Sequence, residues 1–247
     1  MKVKINSTKH GRFVVLTRKI MNESKPLLWG FFRRRQCVVP TWRGWLLILA
    51  VCAISAALLL RNAYAFLAMN APLDGGILVV EGWGSDSLMA SATNEFKKGH
   101  YEALFATGGP IDKGSLFTKY KTYAEMSVDT LEQMGVNPKS LHAIPAPSVR
   151  QDRTYATAIA LKKWLGEHGM NTKKIEIITM GAHARRSRLL YEKVFGAGTR
   201  IGVISVRDEG IDPQHWWTNS NGFRSVVDEM VAYFYAKFLF RASAEHE

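Results

Sequence analysis

Cysteine is nearly absent from this chain. Only Cys37 and Cys52 occur in its 247 residues, and neither falls in the part that reads as a folded domain. That part has no disulfide framework and no thiolate metal site, and no metal ligand set is expected in it. Acidic residues are missing from positions 1–43 apart from Glu23, against eleven Lys or Arg. The rest of the chain carries twenty-two basic and twenty acidic side chains. The net charge of +12 therefore belongs to the tail, which argues against nucleic acid as a partner of the folded part. Internal repeats and low-complexity tracts are also lacking.

What is present first is one long apolar run. Gly44 to Leu60 is seventeen residues without a charge. As a helix it would span about 26 Å, near the short limit for a bilayer. Trp42 and Trp45 suit one interface; Arg61 and Tyr64 suit the other. Arg33, Arg34, Arg35 and Arg43 outweigh Arg61, so the positive-inside rule places the N-terminus in the cytoplasm and the domain outside. A cleaved signal peptide is the rival reading, because Ala63-Tyr64-Ala65 has the form of a cleavage site and would give a product beginning near Phe66. Leu27, Leu28, Trp29, Phe31 and Phe32 lead into Arg33–Arg35, a mixture suited to an anionic inner leaflet. The expected organisation is a basic tail over 1–43, an anchor over 44–61 and a domain over 72–240, in a bacterial inner membrane.

After Pro72 strands and helices alternate. Strands are expected at Ile77–Glu81, Ala103–Thr107, Leu141–Pro145, Ile175–Met180 and Ile201–Val206. Helices are expected at Ser85–Gly99, Thr118–Met134, Arg153–His168, Ala184–Phe195 and Gly222–Phe240. Continuous apolar strands separated by helices imply an α/β fold, a Rossmann-like three-layer sandwich with a mainly parallel five-stranded sheet.

Ligands of such sheets bind beyond the carboxyl ends of the strands. Glu81-Gly82-Trp83-Gly84 follows the first strand and Thr107-Gly108-Gly109 the second. Arg150-Gln151-Asp152-Arg153-Thr154 follows the third. Gly181-Ala182-His183, with Arg185 and Arg186, follows the fourth. Gly108 and Gly109 allow close approach to backbone N–H groups, or simply make a tight turn. Arg153 and Thr154 open a helix, a place that favours an anion, with Asp152 as the expected N-cap. An arginine at a helix start gains nothing from the dipole, so Arg186 points to a local need for positive charge. The alternative is a solvated basic face of Arg185, Arg186 and Arg188. Glu125 either reaches back to the site from its helix or is a surface acid. The composition suits a phosphate-bearing or otherwise anionic ligand.

The ordered motifs resemble the SanA/ElyC/YdcF family of envelope proteins over about Gly76 to Val206. They are ILVVEGWG, Thr107-Gly108-Gly109, Glu125 in TYAEM, Arg153-Thr154 where the family has Asn-Thr, and His183 with Arg186 in GAHARRS. The resemblance implies a Rossmann-like domain acting in cell-wall or surface-polysaccharide biogenesis. It also implies S-adenosylmethionine as a ligand of one member, although no acidic residue ends the second strand here to hold a ribose. No cofactor is assigned. On the enzymatic reading, Glu125 or Asp152 would be a general base and His183 its acid–base partner. Glu81, Gly82, Thr107, Gly108, Gly109, Arg153, Thr154 and Arg186 would bind an anionic small-molecule or lipid-linked ligand. On the other reading the same pocket senses a ligand without turnover, and the anchor or Trp216-Trp217 contacts envelope protein partners. Trp216 and Trp217 are otherwise core packing.

Overall fold

The computed structural model describes residues 40–112 and 118–241. The amphipathic stretch ending in Arg33–Arg35 lies outside them. Helix α1 runs from Trp42 to Leu67, 26 residues, about 39 Å at 1.5 Å per residue. It is long and apolar enough to cross a membrane, and its most apolar window has no buried residue. It starts before and ends well after the charge-free run, continuing unbroken through Ala63-Tyr64-Ala65.

The five strands are β1 (Gly76–Glu81), β2 (Tyr101–Gly108), β3 (Leu141–Pro145), β4 (Lys174–Met180) and β5 (Arg200–Val206). They form one sheet in the order β3-β2-β1-β4-β5, and every pairing is parallel. Helices α2 (Asp86–Lys98), α3 (Tyr123–Gln133), α4 (Arg153–Glu167) and α5 (Ala184–Phe195) make the crossovers. This is the Rossmann-like three-layer arrangement that the alternating pattern implies. Because successive strand residues face opposite ways, Leu78 and Val80 pack under Leu88, Met89, Ala92 and Leu131 of α2 and α3. Ile77 and Val79 pack under Ala158, Leu161, Leu165, Leu190 and Val194 of α4 and α5. Both faces are covered, so the strands read as unbroken apolar runs.

Gly76 has φ +86°, and a Cβ there would lie 2.3 Å from the Lys174 carbonyl oxygen. Only glycine lets β1 start this close to β4.

A third apolar cluster ties α1 to the domain. Tyr64 and Leu67 are buried with Trp216, and with Val226 and Tyr233 of α6 (Ser220–Phe234). The Trp216 indole N–H donates to the Leu60 carbonyl at 2.9 Å. The Arg185 guanidinium donates to the Phe66 carbonyl and lies 4.0 Å from the Phe66 ring centroid. By contacts, the compact unit carrying the sheet begins at Cys52, so the end of α1 belongs to it.

Two helix expectations change. The third helix starts at Tyr123 rather than Thr118, because Thr122 caps it. The last helix starts two residues early, at Ser220, and gives way at Tyr235 to a π turn through Leu239.

Candidate functional site

A cavity of about 660 Å³ opens at the carboxyl ends of β1, β2 and β4, beside the point where the strand order reverses. It is lined by Glu81, Thr107, Gly108, Gly109, Asp152, Arg153, Thr154, His183 and Arg186, together with Trp83, Arg150 and Glu229. Nine of the expected positions thus converge from four separate stretches, while Gly82 and Glu125 do not line it.

Gly82 has a packing role. A Cβ there would come 2.6 Å from the Ser127 hydroxyl and 2.9 Å from the Tyr123 carbonyl, so glycine lets the end of β1 lie against α3. Gly108 is similar, with a Cβ 2.7 Å from that of Tyr123. Gly109 has open space around its Cβ position and borders the cavity. Glu125 completes a capping box: its carboxylate accepts from the Lys121 N–H at 2.8 Å and from the Thr122 N–H at 3.2 Å, and the Thr122 hydroxyl accepts from its own N–H. This geometry makes Glu125 a structural residue of α3 rather than a base aimed at the cavity. Glu125→Ala should cost about 1 kcal/mol of stability and leave ligand affinity unchanged. Parallel urea titration and calorimetry on the variant check this, and a lost binding signal with intact folding would restore its role in the site.

His183 is the centre of a buried charge network. It directly precedes α5, at the end of a short 3-10 turn from Gly181, and is 8% exposed. Its Nδ1–H donates to Glu229 Oε1 at 2.7 Å. On the other side Nε2 lies 3.4 Å from Glu81 Oε2 and 3.3 Å from the Thr154 hydroxyl. Arg186 grips Glu229 with two N–H groups, at 2.8 Å and 2.9 Å. Glu81 accepts from the hydroxyls of Thr179 and Ser187. Burial alone would strip the proton from His183, but the flanking Glu81 and Glu229 outweigh it and push its pKa up to about 9. Burial likewise opposes charge on Glu229, yet the positive charge of His183 and the Arg186 hydrogen bonds hold it near 2. Glu81, also opposed by burial, is held below its ordinary value by the His183 charge. At neutral pH the centre therefore comprises two cations and two carboxylates, fixed in place.

Glu229 was invisible in the sequence because it lies in the middle of α6, 43 residues after Arg186. Its signal is an Asp-Glu pair, Asp228-Glu229, set between the apolar Val226-Val227 and Met230-Val231 of that helix. The arginines near the start of α5 are not one solvated face. Arg185 clamps α1, Arg186 answers the partly buried Glu229, and Arg188 pairs with Glu192 at 2.8 Å.

At the cavity rim the residues are freer. Asp152 is the N-cap of α4 by position, with φ 56° and ψ 37°, but its side chain does not cap the helix. It is the one non-glycine residue with positive φ among those described, a conformation Asp tolerates. The first N–H groups of α4, at Arg153 and Thr154, thus meet the cavity without a capping carboxylate. Arg153 pairs with Asp112 at 3.3 Å, both side chains well exposed. Trp83 stands half-exposed, edge-on to His183 with ring centroids 5.0 Å apart. It separates this cavity from a neighbour of about 690 Å³ that shares Trp83, His183 and Glu229 and adds Asp86, Asp208, Glu209 and Asp228.

No model of a known protein family matches this chain, and no curated protein or solved structure does either. The site's chemistry has to be read from its own geometry. Among the described residues no cluster of His, Cys, Asp and Glu is placed to hold a metal ion. The cavity offers backbone N–H donors at a helix start, the guanidinium groups of Arg150 and Arg153 at the rim, a fixed imidazolium at the floor, and one carboxylate, Asp152, not engaged in capping. Such a set can hold an anion, give it a proton from His183 and take one at Asp152.

Proposed function

We propose that this chain is a single-pass envelope protein whose outer domain binds, and acts on, a phosphate-bearing cell-wall or surface-polysaccharide precursor. The observation that carries this reading is the uncapped start of α4 meeting the His183–Glu229–Arg186 centre across one cavity. A dipole end that the Asp152 side chain does not cap favours a phosphoryl oxygen. Arg150 and Arg153 would close over the remaining charge. His183, protonated at neutral pH, would serve as the acid; Asp152 is the candidate base. The motif resemblance to the SanA/ElyC/YdcF family agrees with an envelope role. The packing of Tyr64 and Leu67 in the domain core favours a retained anchor, since cleavage at Ala65 would remove Tyr64 from that core.

The test uses the full chain in detergent micelles, titrated calorimetrically with inorganic pyrophosphate and with a polyprenyl pyrophosphate. Binding is expected for both. Arg153→Ala should weaken each by about tenfold, the loss of a charge-assisted contact of some 1.5 kcal/mol. An absence of binding at millimolar ligand refutes the reading. A non-catalytic, ligand-sensing role is the second reading. It is favoured by how completely Glu81 and Glu229 are already hydrogen-bonded, and bound precursor recovered unchanged after long incubation would select it.

A further inference from the structure

The domain does not hang from its membrane helix on a linker. Leu60 ends the charge-free run, and the Trp216 indole holds its carbonyl at 2.9 Å. Six residues later the Phe66 ring meets Tyr233 edge-on, 5.6 Å between centroids. Trp216 precedes α6 and Tyr233 is near its end, so the chain entering α6 meets α1 at Leu60 and the end of α6 meets it at Phe66. The start of α6 is therefore its end nearest the apolar run. At that end the surface is aromatic: Trp217 is 41% exposed and Phe223 51% exposed, both packed against the buried Trp216. Arg61 follows Leu60 and Arg224 follows Phe223, and both are exposed.

We infer that Trp217 and Phe223 form a collar seated in the headgroup layer of the bilayer, where α1 leaves it, and that the collar fixes the height and rotation of the domain. The inference rests on the membrane-anchored reading above. Four features select lipid as the occupant. The patch is continuous with a helix long and apolar enough to cross a membrane. Indole and phenyl rings favour the interface. Arg61 and Arg224 complement anionic lipid phosphates. The Trp216 bond pins the patch to the residue where the apolar run stops. A consequence concerns the site. Glu229 lies six residues beyond Phe223, about 9 Å along α6, so the cavity wall stands within a headgroup's length of the collar. A lipid-linked phosphate would reach the cavity with its tail still in the membrane.

The test places a polarity-sensitive fluorophore on single cysteines of the full chain in Cys37→Ser, reconstituted in phosphatidylethanolamine–phosphatidylglycerol vesicles. Native Cys52, exposed in the apolar run, reports on the anchor. Trp217→Cys and Phe223→Cys, in Cys37→Ser/Cys52→Ser, report on the collar. Lys139→Cys, beside the edge strand β3, is the aqueous reference. Expected are blue-shifted emission, quenching by lipids with a nitroxide near the headgroup, and weak quenching by aqueous iodide at positions 217 and 223. Position 139 should behave oppositely. A label at Cys52 that is open to iodide overturns the anchor, and the collar with it. A membrane-embedded label at Cys52 with positions 217 and 223 as open to iodide as 139 overturns the collar alone. Labels at 217 and 223 shielded from iodide but not quenched by lipid nitroxides also overturn it, and assign the patch to a protein partner or a second copy. Circular dichroism of each variant confirms folding.

Discussion

His183→Ala lowers the stability of the folded chain by about 3–5 kcal/mol, the cost of breaking a buried ion pair from one side. The substitution leaves Glu81, 2% exposed, with its hydroxyl partners and only the weaker pull of the Arg186 charge. Glu229 keeps Arg186 and loses its hydrogen bond at 2.7 Å. Loss of the nearest cation to a buried carboxylate is the dominant penalty, because the imidazole itself fills little volume. Arg153→Ala is the contrasting case. Its pair with Asp112 is exposed on both sides, and such pairs contribute about 0–1 kcal/mol. Urea denaturation of the full chain in micelles, followed by circular dichroism, separates the two. A cycle of His183→Gln and Glu229→Gln should return a coupling of roughly 0.5–3 kcal/mol. A His183→Ala loss no larger than that of Arg153→Ala would mean that the network contributes no more than a surface pair. The reading of His183 as a fixed, charged centre would then fall.

The strands were the most legible part of this molecule. Runs such as Ile77–Glu81 and Ile175–Met180 lack alternation because α2 and α3 cover one face and α4 and α5 the other, and that lack is itself the signature of a buried parallel strand. The strand ends then pointed to the cavity, since the fold places them together whatever the side chains. Two features of the sequence were readable but misjudged. Thr122-x-x-Glu125 is a capping box, and it fixes both the start of α3 and the task of Glu125. An arginine in the first turn of α5 did signal a local need for charge, and the partner it meets in the fold is the carboxylate of Glu229. Glu229 was beyond reach for a physical reason. Helical periodicity assigns α6 an inward stripe, and no local rule reveals which strand end that stripe meets. The αL conformation of Asp152 was equally hidden, because it is set by how β3 returns to α4.

Stability should be greatest near pH 5 and fall by several kcal/mol toward pH 9. His183 is raised from 6.5 to about 9, so the folded state binds its proton more tightly than the unfolded chain does. Its contribution is complete below pH 6.5, declines above that, and is lost as pH passes 9; a shift of this size corresponds to on the order of 3 kcal/mol. Glu176 adds a second arm by a different route. This side chain on β4 is fully buried, one carboxyl oxygen accepts the Leu73 N–H, and the other has no partner among the described residues. Burial pushes its pKa up to about 7. The neutral form is thus favoured by folding, a contribution complete below pH 4.5 and lost as pH rises through 7. Glu229, held near 2, works in the opposite sense: its contribution is present above pH 4.5 and disappears only as pH falls through 2. Urea midpoints from pH 3 to 9.5 give the profile. Glu176→Gln should flatten the arm between 4.5 and 7, and His183→Gln the arm between 6.5 and 9, each leaving the other in place. If His183→Gln retains the alkaline arm, the proton lost there belongs to another group. His183 would then not be the proton donor that the proposed chemistry requires.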